Sequence, residues 1–524
     1  MRGRYQQMSL FDIYKDVENT LEADKPLLFR LLDEHLNWDE IIPFEFFMAF
    51  YKRFGRGRVY DLESFLRALF LQRVFHYVED SQLLNTLRFS REMRQFCGFA
   101  KVPDAAKITR FKQDFCDHIR TVFERLVELT EPICREMDAV LADILIKDTT
   151  GIESYVAENN PKFPATKAAQ SHEYSGAADS NPAVKHQYIN GHMCYAQRAA
   201  ILTNGLGIIR HLELLDEDFR LRHPEVPREP RTKTPEIDKE IYDSIALKPV
   251  LQDFRAAHPS FRYATFSGDS AFDSYDNYKF LLKEYGFMRV VIPFNPRNSA
   301  KGGGTDFNEN GTPLCPLDGK PFILKGSSGG PHRSKRLKFV CPGAVPQGTK
   351  MINHCKTPCT QSAYGRCVYT YPDKDLRLYP GVSRDDPDFE ALYKQRTAVE
   401  RSISSLKQTL CLEGRKTSNV LTTKADLFLA GIVHLLCVLL AGKLHKSRSV
   451  PRGHRSLALC PACWKTPQAS SCTPHPFAPG CLIVYLFPVL FLAAPGGLFW
   501  WPLHASRSGN GSWHFFTHPF HSWC

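Results

Sequence analysis

At residue 139 the chain changes its hydrophobic period, and that change restricts the folds open to it. Between about residues 18 and 136, apolar residues return at three and four residue spacing, as in LESFLRALFLQRVFHYVEDSQLLNTL, and strand-like alternation is missing. Beyond it, AVLADILIKDTTG is an apolar run ending in polar residues. CYAQRAAILTNGLGIIRHLELLD is two apolar runs around Asn204-Gly205, a pair favoured in hairpin turns. FRYATFSGD reads as a fourth strand, SYDNYKFLLKEYG as a helix closed by Gly286, and MRVVIPFN as a fifth strand. After Asp386 the helical period returns, through Glu400 and into ADLFLAGIVHLLCVLLAGKL. The expectation is a helical region followed by an α/β core with a mixed sheet, in the order β-β-β-α-β-α.

A chain of 524 residues is too long for one ordinary core. It divides into a helical region (1–136), the first part of the core (137–296), a Gly-, Pro- and Cys-rich insertion (297–384), the closing helices of the core (385–445) and a tail (446–524). In the helical region Ser81 and Ser90 stand where caps belong, and a helix starts near Asp104 carrying Lys107, Arg110 and Lys112. A basic helix of this kind could enter a DNA groove; an exposed charged face explains it equally well.

The formal net charge is +11, which suggests an anionic partner. Six of the 67 Lys and Arg residues, and no acid, lie beyond residue 445, so residues 1–445 carry 61 basic and 56 acidic groups, a net +5. Any binding of nucleic acid must come from local placement of charge. The start, MRGRYQQMSLFDIYKDVENT, lacks an apolar core of signal-peptide length, which points to the cytoplasm and to thiols kept reduced or metal-bound.

Three acids carry the chemistry. Asp148 lies at the end of the first strand in KDTTG, Asp269 follows the fourth strand between Gly268 and Ser270, and Glu400 lies on the closing helix. The small neighbours of Asp269 would give a metal or phosphate close access. Asp143 and Asp273 are better explained as a strand-entry residue and as a cap for the helix starting at Ser274. At roughly 100° per residue, Tyr393, Arg396, Glu400 and Lys407 fall within an arc of about 60° on one helix face. A carboxylate flanked by cations suits a phosphodiester site, the carboxylate holding metal and the cations gripping phosphates. Tyr393 could stack on a displaced base. Alone, Arg396 and Glu400 would read as an i, i+4 surface ion pair.

The order of these acids, and above all Y-x2-R-x3-E-x6-K as Tyr393, Arg396, Glu400 and Lys407, resembles the bacterial insertion-sequence DDE transposases with the YREK signature. LTNGLG and VIPFNPR fit the same group, and the resemblance covers roughly residues 20–445. It implies an RNase H-like core in which Asp148, Asp269 and Glu400 coordinate two Mg²⁺ ions ~4 Å apart, one activating a water or a 3′-hydroxyl and the other stabilising the leaving oxygen. It further implies that Arg396 and Lys407 grip the transposon end while Tyr393 contacts a base. The partners would be double-stranded DNA, as transposon ends and target, and a second copy of the chain; the setting is the bacterial cytoplasm and nucleoid, with no membrane partner. An RNase H-like nuclease, or a silent DNA-binding remnant of a decayed element, are the alternatives.

In the insertion, Cys355-x3-Cys359-x7-Cys367, with Cys315 and Cys341 upstream and His354 adjacent, offers ligands for a tetrahedral Zn²⁺; buried thiols or an oxidised pair explain the residues equally. The apolar stretch ending near residue 444 reads as a buried core helix, short of the ~20 residues that a bilayer span needs. The tail holds five of the six Trp and five Cys, with Cys460-x2-Cys463 a weak metal half-site. LIVYLFPVLFLAAPGGLFWW is long enough to span a membrane but is interrupted by Pro488, Pro495 and Gly496-Gly497. The composition points instead to out-of-frame or read-through translation after a natural end near Lys446.

Overall fold

The computed structural model describes residues 26–51, 57–163, 176–189, 191–226, 241, 243–295, 305–308, 312–330, 333–348, 350–384 and 386–449. The readings made for the tail beyond residue 449 lie outside the described residues.

The N-terminal region is helical as its period predicts: Leu27–His35 (α1), Trp38–Ile41 (α2), Phe44–Phe50 (α3), Leu62–Val74 (α4), Asp80–Phe89 (α5), Arg91–Cys97 (α6), Ala105–Asp114 (α7) and Cys116–Met137 (α8). Ser90 caps α6 through the Met93 amide, and Asp104 caps α7 through the Lys107 amide. Ser81 is not a cap: Glu79 begins α5 in a capping box with Gln82. Phe46, Phe50, Phe65, Phe111 and Phe115 meet in one aromatic cluster that ties α3, α4 and α7 together.

AVLA, read above as the start of a strand, is instead a helical turn (Ala139–Ala142, α9) that Asp138 caps. The sheet strands are Ile144–Glu153 (β1), Ala177–Ala178 (β2), Asn181–Ile189 (β3), His192–Asn204 (β4), Ile209–Leu214 (β5), Thr265–Ser267 (β6) and Arg289–Val291 (β7). Their order is β2-β3-β4-β1-β6-β7, and β5 also pairs with β4. β4 runs antiparallel to β1 and β5 antiparallel to β4, whereas β6 and β7 run parallel to β1 and to each other. The hairpin at Asn204-Gly205 is present; the β2–β3 pair is an addition to the expected strands. Glu217–Arg222 (α10) and Asp243–Ala257 (α11) precede β6, and Tyr275–Lys279 (α12) runs on as a π-helical turn to Gly286, which closes it at φ +95°.

One face of the sheet, through Leu145, Leu202, Phe266 and Val290, packs on α11 and α12. The opposite face carries the closing helices: Pro387–Lys394 (α13), Thr397–Ser404 (α14) with a π-helical turn at Ser405–Thr409, and Val420–Ser449 (α15). α15 is long and apolar enough to cross a membrane, but most of that apolar stretch is buried inside the fold against α8 and β5. Its glycines permit the approach. A Cβ on Gly431 would stand 2.5 Å from Leu212 Cδ1, and one on Gly442 would stand 2.6 Å from Ile133 Cδ1.

The insertion has its own strands, Ile323–Gly330 (β8), Arg333–Val340 (β9), Ala344–Gln347 (β10), Lys350–Asn353 (β11) and Cys367–Thr370 (β12), in a three-stranded sheet β12-β9-β8 and a β10–β11 hairpin. Its last stretch returns to the core. Leu376 joins the α11–α12 core cluster, and Arg377 and Arg384 bond Asp273 and the Tyr278 hydroxyl.

Candidate active site

β1 and β6 pair in parallel from Ile144–Thr265 to Ile146–Ser267, so Asp148 and Asp269 each stand two residues beyond the last pair, Asp148 within β1 and Asp269 just past the end of β6. Asp148 accepts the Thr149 amide at 2.8 Å and Asp269 accepts the Ser270 amide at 2.5 Å. A Cβ on Gly268 would lie 2.7 Å from the Phe272 ring, so the glycine makes room for that ring.

Glu400 arrives from α14. The β4–β5 turn is locked by Asn204, whose side chain accepts the Leu206 and Ile208 amides, and Gly207 takes φ +81°. The Gly207 carbonyl accepts the Ser402 hydroxyl at 2.5 Å, which fixes α14 over the hairpin. A Cβ on Gly207 would lie 3.2 Å from Ser402 Oγ and 3.3 Å from the Ala398 carbonyl. Gly207→Ala is therefore expected to cost about 1–2 kcal/mol from the left-handed backbone alone. It should also displace α14, so an activity that depends on Glu400 falls further than a thermal melt explains.

Arg396 ties the acids together. Its guanidinium is 2.5 Å from Glu400 and 3.7 Å from Asp148, and it interacts electrostatically with Asp269. It also lies over the Tyr393 ring, which stacks on Phe389. Burial raises the Asp148 carboxyl above its usual range; the Thr149 amide, Arg396 and Lys147 oppose this without cancelling it. Among the described residues, the three acids do not close to the 4.8 Å mutual spacing reached by Glu153, His192 and Cys194 at the ends of β1 and β4. In Asp148, Asp269 and Glu400 the donor set is all carboxylate oxygen, the chemistry that Mg²⁺ takes. A cation there would also relieve the cost of ionising Asp148, so the residues fit a magnesium site.

Three expectations are corrected. The closing helix is not continuous: a tight turn at Gln395–Arg396 separates α13 from α14, and the π-helical turn shifts the phase after Ser404. As a result Lys407 is buried and bonds Glu413 at 2.7 Å instead of sharing the face of Glu400. In α7, Lys107 and Arg110 are exposed, but Lys112 is fully buried, 3.1 Å from both Asp80 and Asp426. Asp273 is no cap either, since Ser274 caps α12. Asp273 is instead a buried anion, bonded by Arg377, the Tyr278 hydroxyl and the Asn295 amide. Asp143 does sit at the entry to β1, paired with Arg135.

What braces β1 from behind is not among the residues singled out from the sequence. Lys147, fully buried, reaches the Asp243 carbonyl and lies over the Phe272 ring; burial, opposed by Asp243 and Asp148, lowers its ammonium to about 8. Asp243 also accepts from Thr149 and Arg198. A lysine inside the apolar run ILIKD was the available signal.

The helical region supplies the family evidence. Residues 15–114 match the family model described as transposase domain (DUF772). This transposase-domain match ends with α7 and leaves all three acids outside it. No curated protein matches the chain. Among solved structures the chain is similar to the piggyBac transposase in a synaptic complex with hairpin DNA. The identity is 12% and the TM-score 0.33, over 90% of this chain and 82% of that one. A likeness at that score carries no weight here.

Proposed function

We propose that this chain is a DNA transposase that binds the ends of an insertion sequence and catalyses metal-dependent strand cleavage and strand transfer. The observation that carries the reading is Arg396 standing among Asp148, Asp269 and Glu400, drawn from two neighbouring strands and a helix, in a chain that also matches a transposase domain. The sheet order β5-β4-β1-β6-β7, with its parallel half at β6 and β7, supports an RNase H-like core of the DDE type with the YREK signature.

In this mechanism Asp148, Asp269 and Glu400 would hold Mg²⁺, which would supply Lewis-acid polarisation and activation of a water or 3′-hydroxyl. The chain's own cation is Arg396. Its planar guanidinium neutralises two carboxylates in the absence of DNA and suits bidentate contact with a phosphate when DNA arrives. Tyr393 is steadied by Phe389 beside it, and Lys107 and Arg110 offer exposed charge on α7 for the DNA backbone. Two copies would pair two ends, in the cytoplasm.

The test is incubation of purified protein with Mg²⁺ and the DNA flanking its own gene. Cleavage at the element ends and joined strand-transfer products are expected, both lost on chelation. Cleavage without preference for those ends, or without joined products, would favour an RNase H-like nuclease on the same acids.

A further inference from the structure

The insertion has too little core to hold itself together. β8 is exposed along its whole length and β9 along most of its own, and the buried cluster beneath them is Cys315, Phe322 and Phe339, flanked by Leu337, Cys359 and Val368. Small β units of this kind need a staple.

The staple is legible in the thiols. Cys315 and Cys359 lie in the same cluster and within hydrogen-bonding reach of each other. Cys341 and Cys355 form a second pair: the β10–β11 hairpin returns the chain beside its own start, the His354 amide bonds the Gly343 carbonyl, and a Cβ on Gly343 would lie 3.1 Å from Cys355 Cβ. The two pairs are near each other, since Cys341 interacts with Cys315 and Cys359 as well, but among the described residues no three of these thiols close to the spacing of Glu153, His192 and Cys194. Cys341 sits in a tight turn in which the Ala344 amide donates to its carbonyl. Cys367, on β12, is exposed.

We propose that Cys315, Cys341, Cys355 and Cys359 bind one structural Zn²⁺ and that Cys367 lies outside the site. Each thiol gives up its proton on binding, and a tetrahedral ion with bonds of about 2.3 Å draws the two pairs together. Four thiolates around one dication carry a net negative charge. Lys320, which interacts with Cys315 and Cys355, and Arg366, which interacts with Cys359, stand where they offset it. The site closes the base of the β12-β9-β8 sheet. Its strand β9 carries Arg333, Lys335, Arg336 and Lys338, so the metal would also set the position of a basic ribbon.

The test is elemental analysis of the purified full-length chain, together with Co²⁺ exchange. About one equivalent of zinc is expected, with a sulfur-to-cobalt charge-transfer band and tetrahedral visible absorption after exchange. Cys367→Ser should keep the full equivalent; Cys315→Ser and Cys355→Ser, one from each pair, should each lose most of it. If those two variants fail to fold, the wild-type cobalt spectrum and chelator-accelerated trypsin cleavage at the β9 arginines and lysines carry the test. Less than half an equivalent of zinc in the wild type, a Cys–Cys bond found by mass spectrometry, or loss of metal from Cys367→Ser would overturn the proposal. None of these readouts depends on DNA cleavage, so the result stands apart from the transposase reading.

Discussion

Asp148→Asn, Asp269→Asn and Glu400→Gln are each expected to lower strand cleavage by roughly 10³-fold or more, about 4 kcal/mol of transition-state stabilisation, while binding to DNA ends persists. The three act as one site, so double variants should be little worse than single ones. Asp148 supplies a check that a purely structural residue would fail. Burial holds its carboxyl above the unfolded value, so ionising it opposes folding as pH rises through that range, and at neutral pH the charge is a burden on the fold. In Asp148→Asn the neutral amide removes that burden, and its carbonyl can still accept the Thr149 amide. The melting temperature of Asp148→Asn should therefore equal or exceed the wild type while cleavage disappears. Full cleavage by any one variant removes that residue from the site.

How much of this was legible follows from where each signal resided. Strands with a continuous apolar run, β1, β4, β5, β6 and β7, announced themselves, as did the Asn204-Gly205 turn and the Gly286 stop. β3 did not, because its burial is irregular and most of its residues are at least partly exposed, so neither period appears. α11 was missed although Leu247, Val250, Leu251 and Phe254 keep helical spacing; Pro249 inside it breaks the usual expectation. The arc drawn through Tyr393, Arg396, Glu400 and Lys407 assumed one uniform rotation per residue. It held for Arg396 and Glu400, within one turn, and failed for Lys407, beyond the π-helical turn. Lys112 failed for another reason. A lysine on an exposed face and a lysine in a buried ion network look alike when the partners, Asp80 and Asp426, are far away in sequence.

That network carries the largest expected effect on stability. Arg73, Lys112 and Arg415 converge on Asp80 and Asp426, with contacts of 2.7–3.1 Å, and join α4, α5 and α7 to α15. Burial pushes both carboxyls up, but the surrounding cations outweigh it and hold both below the usual carboxylate range. Their contribution is therefore complete at neutral pH and is lost only as pH falls below about 4, the ordinary carboxylate value, toward their folded values. Asp426→Ala leaves three buried cations facing one anion. The expected cost is about 3–5 kcal/mol, or roughly 10 °C in melting temperature, and much of the variant should be insoluble on expression. Lys112→Met is the opposing case. Cations outnumber anions by one in this cluster, and burial holds the Lys112 ammonium below its ordinary value despite two nearby acids. Removing it leaves two cations against two anions, so the melting temperature should hold or rise. DNA binding should be unchanged, whereas Lys107→Ala with Arg110→Ala, on the exposed face of the same helix, should weaken it and flatten its salt dependence. Comparable destabilisation by Asp426→Ala and Lys112→Met would mean that packing, not charge balance, governs this junction.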